Sequence, residues 1–92
     1  MPFKALHIIA HGIVQGVGFR FFVRERSLQY GIKGWVRNLH DGSVEIHAQG
    51  EDEQLNQFIA DVRKGPSFGH ISRLDKEWVE LKNKYNDFRI VF

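Results

Sequence analysis

The even positions from Leu6 to Val14 carry Leu6, Ile8, Ala10, Gly12 and Val14, while His7 and His11 occupy odd ones. A period of two belongs to an extended chain with one covered face, which predicts a strand. Gln15, Gly16, Val17 and Gly18 break the alternation. Beyond them Phe19, Phe22, Val23 and Tyr30 gather on one side of a helix, Arg20, Arg24 and Glu25 lie on other sides, and Gly31 follows where the helix should stop. Lys33 to Leu39 and Ser43 to Gly50 read as two short strands. In the second of them Val44, Ile46 and Ala48 alternate with Glu45, His47 and Gln49, and Asp41-Gly42 supplies a hairpin turn between the two.

The clearest helical pattern comes next. Leu55, Phe58, Ile59 and Val62 stand at i, i+3, i+4 and i+7, acidic residues open the segment, and Gly65-Pro66 closes it. Past Pro66 the alternation weakens. Ile71 and Leu74 suit a strand that contains an irregularity, and no clean period returns before Trp78. Phe88, Ile90 and Phe92 alternate with Arg89 and Val91, which predicts a short extra C-terminal strand. The resulting order is strand, helix, strand, strand, helix, strand and a last strand. It implies an α+β sandwich of the ferredoxin-like, split βαβ class: a mainly antiparallel sheet with two helices on one face.

Composition narrows this picture. A chain of 92 residues that is 42% apolar has room for one core, so residues 1–92 are expected to form a single domain. The absence of cysteine removes disulfides, thiolate nucleophiles and cysteine-ligated metals, and it fits a reducing, cytoplasmic setting. No stretch near Met1 has the form of a cleavable leader, and none approaches the roughly 20 apolar residues of a membrane helix. A soluble, unprocessed chain with no membrane partner is expected. The formal charge of +2 is compatible with a small anionic substrate and does not call for nucleic acid.

Two segments carry chemistry. In GIVQGVGFR, Gly12 to Arg20, a strand passes into a helix through Gly16 and Gly18. Glycines in such a turn let backbone N–H groups converge, and the helix start adds N–H groups that lack intrahelical acceptors. Arg20, in the first turn, would bring a planar fork of donors to the same anion. A purely structural connector remains an equally open reading of such a turn. Dinucleotide binding is excluded because Phe21 stands where a third glycine belongs, and no Gly-Lys-Ser/Thr follows a four-residue gap as a nucleoside-triphosphate loop requires. In GWVRNLHDGSVE, Gly34 to Glu45, Asn38 ends a strand before the hairpin turn. Its amide could bond its own turn, or it could hold a water beside a bound phosphoryl group.

These two segments, in this order and at about this separation, resemble the paired signatures of the acylphosphatases, and the likeness runs over essentially the whole chain. The resemblance implies hydrolysis of the carboxyl-phosphate bond of acyl phosphates to carboxylate and inorganic phosphate. It implies that Arg20 binds the phosphoryl group, that the main-chain amides of Gln15, Gly16, Val17, Gly18 and Phe19 cradle it, and that Asn38 positions the attacking water. Arg20 and Asn38 are thus the expected catalytic pair. The same resemblance implies no cofactor and no metal, and a small-molecule substrate as the main partner of a monomer.

Other residues invite different readings. Of the five histidines, His7, His11 and His47 fall on polar strand faces, and His7 and His11 would lie roughly 13 Å apart along a strand, too far to share a metal unaided. Asp41 is accounted for by the turn and Glu45 by an exposed strand position, so a catalytic carboxylate pair is not expected. Phe19, Phe21, Phe22, Trp35, Phe58, Phe88 and Phe92 are expected to be mostly core. The competing class is an RNA-binding or non-catalytic accessory module of the same fold, since fold alone does not assign function. RNA-recognition domains display their aromatics within strands, whereas GVGFRFF is expected at a loop-to-helix junction.

Overall fold

The computed structural model describes residues 3–92. Its elements follow the expected order: β1 Phe3–Ile13, α1 Phe19–Tyr30, β2 Lys33–Asn38, β3 Val44–Glu51, α2 Asp52–Lys64, β4 His70–Val79 and β5 Phe88–Val91. The sheet has five strands in the order β4-β1-β3-β2-β5. All neighbouring pairs are antiparallel except β2 with β5, which run parallel. This is the ferredoxin-like α+β arrangement, with β5 added at one edge. The first strand begins earlier than its alternation suggests, because Phe3, Lys4 and Ala5 pair with Glu51, Gly50 and Gln49, and it ends at Ile13, one residue short of Val14.

The period-two and helical patterns converge on one core. Leu6, Ile8, Ala10, Val36, Val44, Ile46 and Ala48 from one sheet face meet Phe19 and Val23 of α1 and Leu55, Phe58, Ile59 and Val62 of α2. The buried residues of α2 are the four that the i, i+3, i+4, i+7 spacing selects. Asp52 and Glu53 in its first turn and Arg63 and Lys64 in its last oppose the partial charges of the helix ends. Tyr30 Oη donates to Asp61 Oδ2 at 2.8 Å and ties the two helices together.

The irregularity expected in β4 is a register shift. His11 pairs with Arg73 and Gly12 with Ile71, so Ser72 is the extra residue on the β4 side. The strands approach so closely there that a Cβ on Gly12 would lie 2.1 Å from the His70 carbonyl oxygen. Only glycine fits at that point, one residue before β1 ends.

The opposite sheet face is less open than alternation alone predicts. Residues 80–87, between β4 and β5, cross part of it. Gln49, on that polar side of β3, is buried because its side-chain amide donates to the Asn83 carbonyl while its oxygen accepts from the Tyr85 N–H at 3.1 Å. His47 lies between Trp35, stacked at 5.8 Å, and Tyr85, edge-on at 5.5 Å. Burial and then the neighbouring His7 push the His47 imidazole below its ordinary value. Glu45 is not the exposed strand carboxylate that spacing suggests. It is mostly covered and accepts from His7 at 2.7 Å and from Arg37 at 2.6 Å.

Candidate active site

The turn from β1 into α1 is set by backbone conformation. Gly16 and Gly18 have φ of 75° and 77°, and nothing lies within 4 Å of where either Cβ would be. The requirement for glycine is therefore one of left-handed backbone angles, not of space. Gly18 caps α1 without a side-chain hydrogen bond, and Phe22 is the residue whose N–H closes the first turn onto the Gly18 carbonyl, at 2.9 Å. The N–H groups of Phe19, Arg20 and Phe21 precede that bond and have no acceptor within the helix. Among the described residues, Gly16, Val17 and Gly18 donate no backbone N–H to another main-chain carbonyl. The donors thus remain open at the positive end of a helix dipole.

Arg20 is half-buried beside these amides. Among the described residues it forms no salt bridge, and its guanidinium lies 4.8 Å from the centre of the Phe92 ring. Asn38, at the end of β2, faces the same cleft. The cleft has a volume of about 190 Å³ and is lined on its polar side by Gly16, Gly18, Phe19, Arg20 and Asn38.

The hairpin turn after Asn38 does not use the Asn38 side chain. Leu39 N–H donates to the Ser43 carbonyl at 2.9 Å, Gly42 N–H donates to the Leu39 carbonyl at 3.2 Å, and Asp41 Oδ1 accepts from both the backbone N–H and the hydroxyl of Ser43. The Ser43 hydroxyl and then its N–H hold the Asp41 carboxyl below the usual range. Asp41 is turn chemistry, as its pairing with Gly42 suggests, whereas Asn38 is left with its amide available.

Of the residues expected at the site, Gly16, Gly18, Phe19, Arg20 and Asn38 come together around one cleft. The Val17 side chain packs against the hydrophobic core, and the group expected at the site from this residue is its main-chain amide. The Gln15 side chain turns away from the cleft and donates to the Leu39 carbonyl at 2.7 Å and the Ser43 carbonyl at 2.8 Å. It thereby ties the loop that precedes Arg20 to the turn that follows Asn38, a link that the sequence pattern did not reveal. Three aromatic expectations are corrected: Trp35 lies outside the core, on the opposite sheet face against His47, while Phe21 is 57% and Phe92 100% exposed, and these two line the cleft with Val14 and Ile90. Phe21 projects from the helix surface away from Phe19 and Val23. Phe92 lies beyond the last paired residue, Val91, where no strand remains to cover it. Among the described residues, no group of three or more His, Asp or Glu side chains is placed to hold a metal, and no helix is long and apolar enough to cross a membrane.

A ferredoxin-like sheet whose β1–α1 turn faces a cleft shared by an arginine and a strand-end asparagine defines a small α+β protein with geometry suited to a small anion. Comparisons with known proteins specify the family. The acylphosphatase family model matches residues 6–90. The chain is 40% identical over 91 residues to an acylphosphatase of Chlorobaculum tepidum, covering 99% of both chains. It is 44% identical over 89 residues to that of Thermotoga maritima, covering 97% of this chain and 98% of the relative. The crystal structure of acylphosphatase from Bacillus subtilis superposes with a TM-score of 0.94 at 34% identity, covering 99% of this chain and 100% of that one. The chain belongs to the acylphosphatase family of hydrolases. An RNA-binding or accessory role is not favoured by these relatives, and GVGFRFF does lie at a loop-to-helix junction and not within a strand.

Proposed function

We propose that the chain hydrolyses acyl phosphates by direct attack of a water held by Asn38 on a phosphoryl group bound by Arg20 and the amides of Gln15, Gly16, Val17, Gly18 and Phe19. The observation that carries this reading is that Arg20 and Asn38, from separate elements, line one cleft with the loop glycines. Water oxygen forms the new bond to phosphorus while the bond from phosphorus to the carboxyl oxygen breaks, and the electron pair leaves with the carboxylate. The water proton passes to a phosphoryl oxygen, giving carboxylate and inorganic phosphate. A carboxylate is a good leaving group, so no strong general acid, metal ion or covalent intermediate is needed. Charge on the equatorial phosphoryl oxygens is met by donors already fixed in place. Asn38 neither gains nor loses a proton. Its side-chain oxygen accepts from the water and fixes the line of attack.

The test is the loss of benzoyl phosphate absorbance, followed with and without a chelator. Turnover that is unaffected by the chelator supports the reading. Absence of turnover, or turnover abolished by the chelator and restored by added metal, contradicts it.

A further inference from the structure

Gln49 fixes the tautomer of its neighbour His47. The Asn83 carbonyl accepts one N–H of the Gln49 side chain, the Tyr85 N–H donates to its oxygen at 3.1 Å, and its nitrogen lies 3.2 Å from His47 Nε2. Turning the amide over would set its oxygen against the Asn83 carbonyl and its nitrogen against the Tyr85 N–H, so two backbone groups hold it in one orientation. His47 Nε2 must then accept the second N–H, which leaves the ring neutral with its proton on Nδ1. A proton on Nε2 would put one N–H against another.

The surroundings oppose that proton. His7 of β1 stands in register with His47, and Trp35 of β2 is flanked on the same side by Lys33 and Arg37. Arg89 of β5 is in register with Trp35, and Lys84 adjoins Tyr85 in the crossing segment. Of the carboxylates on this side, Glu45 is taken up by His7 and Arg37, Asp87 holds Arg89 at 3.0 Å, and Glu77 lies on β4, beyond His7.

We propose that His47 and Gln49 form an acid-released latch: a proton taken up at His47 breaks its contact with Gln49, and the stretch from Asn83 to Asn86 lifts from the sheet face to solvate the charge. The stretch is bounded, because the Gly34 N–H donates to the Asp87 carbonyl at 2.9 Å and β5 stays paired beyond it. Residues 82–87 are all exposed, so little burial resists the opening. The Tyr85 ring meets His47 edge-on at 5.5 Å, so the group that titrates packs against the piece released. Burial and then His7 hold the latched imidazole below its ordinary value of 6.5. Opening returns it toward that value, so the open form binds the proton more tightly and gains population as pH falls below 6.5. The latch stands whether or not the chain hydrolyses acyl phosphates.

The experiment follows the histidine rings by nitrogen NMR and the Tyr85 N–H by hydrogen exchange, corrected for its intrinsic rate, as pH is lowered. At neutral pH His47 Nε2 should be the unprotonated ring nitrogen, and the ring should titrate below 6.5. Below that value Tyr85 protection should fall by up to about tenfold per pH unit, the dependence of an opening that takes up one proton. In His47→Gln, whose amide oxygen can accept from Gln49 and does not titrate, protection should hold within about twofold over the same range. His7→Gln should keep the fall and raise the His47 midpoint. A proton on Nε2 at neutral pH, constant protection in the natural chain, or an equal fall in His47→Gln would each overturn the latch. Should His47→Gln fail to fold, the natural chain decides alone: a fall that follows the His47 titration supports the latch, and one that follows His7 overturns it.

Discussion

Two regions of the molecule treat polar groups in opposite ways. Across the outer sheet face they are paired: Glu45 holds both His7 and Arg37, His11 meets Asp75 at 2.9 Å, and Gln49 bonds the segment that crosses above it. At the cleft, among the described residues, Arg20 has no carboxylate partner, Asn38 is outside the bonds of its own turn, and the glycine loop keeps its N–H groups open. Paired groups on the outer face hold the fold, because a buried donor or acceptor without a partner is costly. The cleft groups have no protein partner among the described residues, and the proposed anion site rests on that. The difference separates residues whose loss should weaken folding from those whose loss should abolish turnover.

Replacing Arg20 should produce the largest change. Arg20→Ala should lower kcat/KM for benzoyl phosphate by about a thousandfold or more and weaken inhibition by inorganic phosphate, while stability measured by urea unfolding stays within about 1 kcal/mol of the natural chain. Asn38→Ala should reduce kcat by roughly a hundred- to a thousandfold but leave phosphate inhibition within about twofold, because the role proposed for it is water placement and not anion binding. A folded Asn38→Ala variant with full activity would end the role assigned to it.

On the outer face the order reverses. Gln49→Ala leaves the Asn83 carbonyl and Tyr85 N–H without their partner and should cost about 1–3 kcal/mol of stability in urea unfolding, with kcat per folded molecule retained. The smallest effect belongs to Glu45. Burial draws its carboxyl upward, but hydrogen bonds from His7 and Arg37 outweigh burial and hold it below its ordinary value of 4.5. A carboxyl depressed by folding contributes stability that is present above its unfolded value and lost as pH falls through its folded one. Glu45→Gln should therefore be less stable than the natural chain at neutral pH by about 1 kcal/mol, and thermal unfolding should show the gap narrowing as pH falls below 4.5. A gap that widens in acid would contradict this pairing.

Much of the fold is legible in the chain because its elements follow simple periods. The four buried positions of α2 and the inner residues of β3 are those the spacing selects. Burial of Gln49 and the pairing of Glu45 are not legible, because local alternation shows which side of a strand a residue takes but not what crosses that side. Residues 80–87, whose own pattern is weak, make that difference. At the site, the glycine turn and Arg20 are readable from conformational and charge requirements, while Asn38 is ambiguous until the turn is seen to close without it. The Gln15 bond to the carbonyls of Leu39 and Ser43 joins segments distant in sequence, so no local pattern encodes it. Phe21 and Phe92 mislead for a related reason: aromatic residues at helical or strand spacing normally mark core, and only the tertiary arrangement places them at the rim of a cleft.

A crystal structure grown with inorganic phosphate tests the division of labour between Arg20 and Asn38 most directly. The anion should accept hydrogen bonds from the Arg20 guanidinium and from the main-chain N–H groups between Gln15 and Phe19, with a water held between it and the Asn38 side chain. Phosphate bound away from Arg20 and the loop, or an Asn38 amide that holds no water and points elsewhere, would contradict the account.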